Sequence, residues 1–508
     1  MAEIINKIFI IYYIPFYHNK YNINMSKSLK KNYILNLTNT ISTMLFPLIT
    51  FPYAARIIMA DGIGQVNFFS SIISYISLFT CLGIPMYAIR ETARVRDNQK
   101  ELSKTTTEIL LLHACLTLFG YLAVFIIAFT VPKVMVDIPL FLLLSTSIFF
   151  TAIGCEWFYQ GVEDFKYITI RAITIKSICV VLLFLLVHSK DDLMYYAIYT
   201  VVGSVGNNIF NFLRLRKYVK RKYIDFKELK PLRHLKPALH IFVLNLVISI
   251  YVNLDTVMLG FLKNSTAVGY YTGATKLTKM LLGIVSSLGT VMVPRLSNLI
   301  QNGQMEDFKK LSQKAVDFVF ALSFPLFLGL IVSAPILIRL FCGPSYEPAI
   351  STLQIISPIL LFIALSNVLG IQILYPQGKE NVVIKCTIFG AITNFTLNLI
   401  LIPLMANDGA AIATCVAEFM VIFIMLIIGR KYLPIEYSFK RYSNYIIGSA
   451  LMFGAIMLVN NILTIPIIIQ MLLMVVVGIL IYGGYLYIKR DEMFMNLFIN
   501  QLKKKIGK

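Results

Sequence analysis

Long apolar runs, separated by short polar or charged breaks, recur along almost the whole chain. A helix rising about 1.5 Å per residue needs roughly 20 such residues to cross the hydrocarbon core, where no water satisfies the backbone. About fourteen spans are predicted on that length criterion, at 33–57, 63–88, 106–131, 138–160, 168–188, 193–213, 237–260, 267–293, 315–341, 348–375, 380–403, 408–430, 442–464 and 466–488. The last two come from one stretch, Tyr442 to Ile488, that holds no Asp, Glu, Lys or Arg; it is too long for one helix, and NNILTIP (Asn460 to Pro466) supplies the turn. The fold class expected is an all-α polytopic membrane protein.

Composition agrees: 58% of residues are hydrophobic and only 14% charged, with a mean hydropathy of +0.76, where a soluble globule carries about a quarter charged residues. The formal net charge of +21 does not point to nucleic acid, because the basic residues fall in short runs between the apolar segments. One set of alternate loops holds Lys27, Lys30 and Lys31; Arg90, Arg94, Arg96, Lys100 and Lys104; Lys166 and Arg171; RLRKYVKRKYIDFKELKPLRHLKP; Arg295 with Lys309, Lys310 and Lys314; Lys379 and Lys385; Arg430, Lys431, Lys440 and Arg441; and the KKKIGK tail. The other set holds only Arg56, Lys133, Lys190, Lys263 and Arg339. By the positive-inside rule both termini are expected in the cytoplasm. Every outward loop is then short, which leaves no place for the large outer loop of a membrane glycosyltransferase. The seven cysteines lie singly in or beside apolar runs and read as small hydrophobes.

Residues 1–32 are expected to form a cytoplasmic tail, with Met25, opening MSKSLKKN, as the expected translation start. The basic linker 214–236 divides the first twelve spans into an N-lobe (33–213) and a C-lobe (237–430), followed by a helix pair (442–488) and a basic tail (489–508). An even number of spans per lobe makes them parallel repeats. Gly64, Gly83 and Arg90 recur at nearly the spacing of Gly269, Gly289 and Arg295, in equivalent spans.

An ionisable group inside a span costs several kcal/mol unless it meets water or a partner, so each is a candidate site. Glu156 in span 4 and Lys176 in span 5 lie within reach across a hairpin and read either as a self-satisfying pair or as a gate at the cytoplasmic mouth. Trp157 beside them is expected as an interfacial anchor rather than a sugar platform. Asp255 in span 7 faces Lys276 in span 8, and Lys279 stands one turn along the same helix. One carboxylate cannot neutralise two ammonium groups, and the surplus suits an anionic guest in a wetted internal chamber. Arg56 is a further cation or a snorkelling interface residue. Glu418 in span 12 is either a proton or sodium carrier or a protonated packing acid. His113, Asn207, Asn208, Asn211, His240, Asn245, Asn394 and Asn398 are expected to bridge helices. No phosphate-binding glycine loop, paired-histidine metal motif or GxSxG elbow occurs, so neither cofactor, metal nor enzymatic chemistry is expected.

Three blocks, FPLITFPYAARIIMADGIGQVNFFSSIISYISLFTCLGIPMYAIRETAR, EWFYQGVEDFKYITIR and NLDTVMLGFLKNSTAVGYYTGATKLTKMLLGIVSSLGTVMVPRLSN, resemble the bacterial polysaccharide and O-antigen flippases of the multidrug/oligosaccharidyl-lipid/polysaccharide exporter superfamily. The resemblance implies a two-lobed transporter of the cytoplasmic membrane that carries undecaprenyl-pyrophosphate-linked oligosaccharide outward by alternating access. Its partners would be that cargo and membrane lipids, with a polysaccharide polymerase and a chain-length regulator as further candidates. In that setting Lys276, Lys279 and Arg56 would meet the pyrophosphate, and Asp255 or Glu418 would couple ions. A lipid II flippase and a cation-coupled small-solute exporter are the rival readings.

Overall fold

The computed structural model describes residues 25–436, 438–462 and 465–495. The expected start region before Met25, Leu463 and Thr464 of the last predicted turn, and the end of the basic tail lie outside the described residues. The predicted runs lie on helix: α1 (Met25–Cys81), α2 (Ile84–Val95), α3 (Gln99–Thr130), α4 (Ile138–Ile153), α5 (Glu156–Gly161), α6 (Phe165–Leu186), α7 (Leu193–Leu215), α8 (Leu235–Leu262), α9 (Ser265–Gln301), α10 (Met305–Phe341), α11 (Ala349–Ile356), α12 (Ile359–Asn367), α13 (Glu380–Ile428), α14 (Phe439–Ile462) and α15 (Ile467–Ile488). No strand occurs among the described residues. Nine segments among them are long and apolar enough to cross a membrane.

Two of those segments hold two predicted runs apiece, joined without a loop. The joints are single residues with positive φ, Met59 (61°) in α1 and Ala406 (50°) in α13. Each joint is a kink, and a non-glycine residue held in so sparsely populated a backbone region costs about 1–3 kcal/mol, which tertiary packing offsets. Elsewhere the starts are capped: the side chain of Asn98 accepts from the amides of Lys100 and Glu101, and Asp137 and Asp164 accept from Leu140 and Tyr167. The bilayer-facing side is explicit on α3, where Leu118, Phe119, Leu122, Phe125, Ile126 and Phe129 all stand exposed. In water such a continuous apolar face is untenable; in lipid it is the expected surface.

The chain forms two compact units that divide between Gly269 and Tyr270, inside α9. In the first, α1 packs against α3, α4, α6 and α8, and α4 against α7. Two glycines make the closest approaches here. A methyl group on Gly64 would overlap the Ser265 carbonyl, and one on Gly269 would overlap the Ala60 carbonyl, so the first turn of α9 lies backbone to backbone on α1. In the second unit α10 is central, touching α11, α12, α14 and α15. The final helix pair rests on it through Val332, Ile336, Met452, Ile456 and Met474, and the Tyr482 hydroxyl donates to the Ala321 carbonyl at 2.6 Å.

Candidate functional site

The hairpin that carries EWFYQGVEDFKYITIR is not a continuous span. α4 stops at Ile153, Cys155 takes a positive φ of 43°, and α5 restarts at Glu156. The break aims the Glu156 carboxylate across the hairpin, where it accepts from Arg171 of α6 at 3.3 Å. The Arg171 side chain is 4% exposed and that of Glu156 is 45% exposed. The guanidinium also donates to Asn207 at 3.2 Å and to the side-chain oxygen of Asn211 on α7, and lies 5.4 Å from the centre of the Tyr167 ring. Asn211 in turn donates to the Gly154 carbonyl at 2.6 Å and its own carbonyl accepts from the Tyr159 hydroxyl. One turn away Arg214 pairs with Asp164 at 2.6 Å over the face of Tyr167.

This knot changes two expectations and meets a third. Arg171, read as a loop cation, is the buried hub; it was missed because a basic residue beside a basic loop carries no distinguishing signal in one dimension. Asn207 and Asn211 do bridge helices. Trp157 is buried in the aromatic core with Phe158 and Tyr159 rather than anchored at an interface, because the helix break turns α5 into the first unit. The Lys176 ammonium lies 6.0 Å from the centre of the Phe46 ring.

A second network ties the basic linker to α3. Glu108, with a fully buried side chain, accepts from the Lys230 amide at 2.8 Å, Arg233 at 2.6 Å and His234 at 2.9 Å. The other ring nitrogen of His234 faces the Tyr87 hydroxyl at 2.7 Å. Glu108 as carboxylate makes the facing nitrogen the donor, so neutral His234 satisfies both contacts. Burial lowers the His234 pKa, a direction reinforced by Arg233 and opposed by Glu108. His113, by contrast, is buried with neither ring nitrogen hydrogen-bonded, so it does not bridge helices.

The remaining candidates are placed one by one. In the first unit Arg56 is exposed, three residues before the kink at Met59, and Asp255 is buried on α8. In the second, Lys276 is half-buried and Lys279 exposed, one turn apart on α9, and Glu418 is buried on α13. Two ammonium groups at that spacing repel. They form a point-charge pair, chemistry suited to phosphate oxygens rather than to bond making. The second unit also carries a bidentate ion pair between the first turn of α14 and the interior of α10, Arg441 to Asp317 at 2.9 and 2.5 Å. Among the described residues no three His, Cys, Asp or Glu side chains converge as for a metal ion.

The chain is 25% identical over 407 residues to the Escherichia coli (strain K12) protein named "Putative O-antigen transporter", covering 80% of this chain and 97% of that one. Its fold is similar to a lipid II flippase MurJ in an inward closed conformation (TM-score 0.76, 16% identity, 91% of this chain and all of the other). It is also similar to an inward-facing multidrug resistance MATE family transporter of the MOP superfamily (TM-score 0.63, 14% identity, 76% and 94%). The MatE family model matches residues 241–400, and the model described as polysaccharide biosynthesis protein matches residues 29–300, more than half of the chain. With an all-helical, multi-pass fold and relatives named as transporters and flippases, the chain belongs to the polysaccharide biosynthesis protein family.

Proposed function

We propose that the protein is a flippase that moves undecaprenyl-pyrophosphate-linked oligosaccharide repeat units outward across the bacterial cytoplasmic membrane by alternating access, for assembly of O-antigen, capsule or exopolysaccharide. The observation that carries the reading is the similarity to an O-antigen transporter over 97% of that protein's length. In this reading the termini and the basic linker face the cytoplasm, 33–213 and 237–430 act as the two lobes, and the polyprenyl tail stays in lipid.

Lys276 and Lys279 are the candidates to take the pyrophosphate, and Arg56 is a candidate cation in its own right. An ammonium group makes a strong charge-assisted hydrogen bond to a phosphate oxygen, and near-surface screening by water falls away inside a span. Asp255 and Glu418, both buried acids in spans, are the candidates for ion coupling. The cargo's own negative charge also favours outward passage, at about 2.3 kcal/mol per elementary charge per 100 mV of inside-negative potential.

The test is the Lys276→Gln, Lys279→Gln double variant in the native host. Surface polysaccharide should vanish while membrane abundance of the protein is unchanged; normal polysaccharide would refute the assignment. Rescue of cells depleted of their lipid II flippase by the wild-type chain would instead assign the cargo to lipid II.

A further inference from the structure

The basic linker is held in a fixed course along one helix. Gln99 of α3 donates its side-chain amide to the Tyr218 carbonyl, the Ser103 hydroxyl accepts from the Lys220 amide at 3.1 Å, and Lys104 pairs with Glu228 at 3.7 Å. Glu108 then takes Lys230, Arg233 and His234. These α3 residues occupy its first three turns, so the linker descends alongside the helix as it runs from Tyr218 to His234. From Gln99 to Glu108 the drop is about 13 Å at 1.5 Å per residue. The hydrophobic run of α3 begins near residue 106. The stretch between Lys220 and Lys230 therefore lies at the level where hydrocarbon gives way to headgroups.

The side chains on that stretch suit this level. Lys220, Arg221, Lys222, Lys227 and Lys230 are exposed, against two acids, Asp225 and Glu228. Between them Phe226 is 64% exposed, and Leu232 beyond them is 74% exposed. Loop anchoring alone accounts for the cations but not for two large apolar side chains held outward by a pinned backbone. An aromatic flanked by cations at the hydrocarbon boundary is a surface for anionic lipid: the ring enters the acyl region and the ammonium groups meet phosphates.

We propose that residues 220–232 form a binding surface for the headgroups of anionic phospholipids, docked by the Glu108 network. The surface does not depend on the identity of the cargo. Intact protein is placed in nanodiscs of phosphatidylcholine alone or with phosphatidylglycerol, and amide hydrogen exchange is followed in residues 221–229. Phosphatidylglycerol should slow that exchange at least about tenfold, given roughly fivefold per engaged cation. The Lys220, Arg221, Lys222, Lys227→Gln variant should lose the effect, and Phe226→Ser should weaken it, while exchange in α3 stays as in wild type. Equal exchange in the two lipid mixtures would overturn the proposal. So would full protection retained in both variants, or the same protection given by inorganic pyrophosphate in phosphatidylcholine nanodiscs, which would mark a soluble-anion site instead.

Discussion

The hairpin from Gly154 to Ser177 and the α9 turn from Lys276 to Lys279 both set ionisable residues inside predicted spans, yet they are built on opposite principles. In the hairpin, Arg171 is enclosed by an acid, two amides and a ring, each a neighbour in the first unit. In α9 two like charges stand a turn apart, one half-buried and one exposed. The first arrangement is a fastening, whose removal leaves buried polar groups behind. The second sets two like charges side by side, an arrangement that repels and that the proposed function uses for an anion.

The largest stability effect expected is at the hub. Arg171→Met leaves the buried Asn211 oxygen and the half-buried Asn207 oxygen short of a donor, and should cost about 2–4 kcal/mol, with about 1–3 kcal/mol from the fully buried group and less from the other. Thermal unfolding of the purified protein in detergent checks this; an unchanged midpoint would dissolve the distinction between the two regions.

A smaller effect should follow pH. The lowered pKa of His234 keeps it neutral in the fold, whereas the unfolded chain takes up a proton near pH 6.5. The stability present above that pH is therefore lost as pH falls below it, since stability rises with pH wherever the unfolded state binds more protons. Unfolding midpoints recorded between about pH 5.5 and 7.5 should slope upward with pH, and His234→Gln should flatten that slope.

Glu156→Gln should cost less than about 1 kcal/mol, because its carboxylate is close to half exposed and water screens the pair with Arg171. A loss as large as that from Arg171→Met would mean that the carboxylate, not the amides, holds the hub. Smallest of all, the double glutamine variant at Lys276 and Lys279 should leave stability within about 0.5 kcal/mol, the usual range for surface substitutions, since Lys279 is exposed and Lys276 only half-buried.

The helices and the breaks between them were legible because the bilayer imposes one length on every span; the joints at Met59 and Ala406 fall in the gaps predicted between runs. The reading failed where hydropathy is blind to chain direction. Span 4 coincides with the apolar segment Ile138–Gly161 but gave no sign of the break at Gly154 and Cys155 inside it, and α10 extends ten residues before its span because its first turns, from Met305, carry charge. Arg171 and Glu108 escaped for a related reason. Each sits near a basic loop, and only the folded hairpin and the descending linker reveal what surrounds it. Lys276 and Lys279 were legible from spacing alone, since like charges three apart in an apolar run need no fold to be conspicuous.

The most direct measurement places purified protein in proteoliposomes with undecaprenyl-pyrophosphate-linked oligosaccharide and follows accessibility of the sugar from the opposite leaflet. Wild-type protein should move the lipid-linked sugar, and the Lys276→Gln, Lys279→Gln variant, equally well folded, should not. Equal translocation by the two proteins would contradict the role given to the α9 lysines.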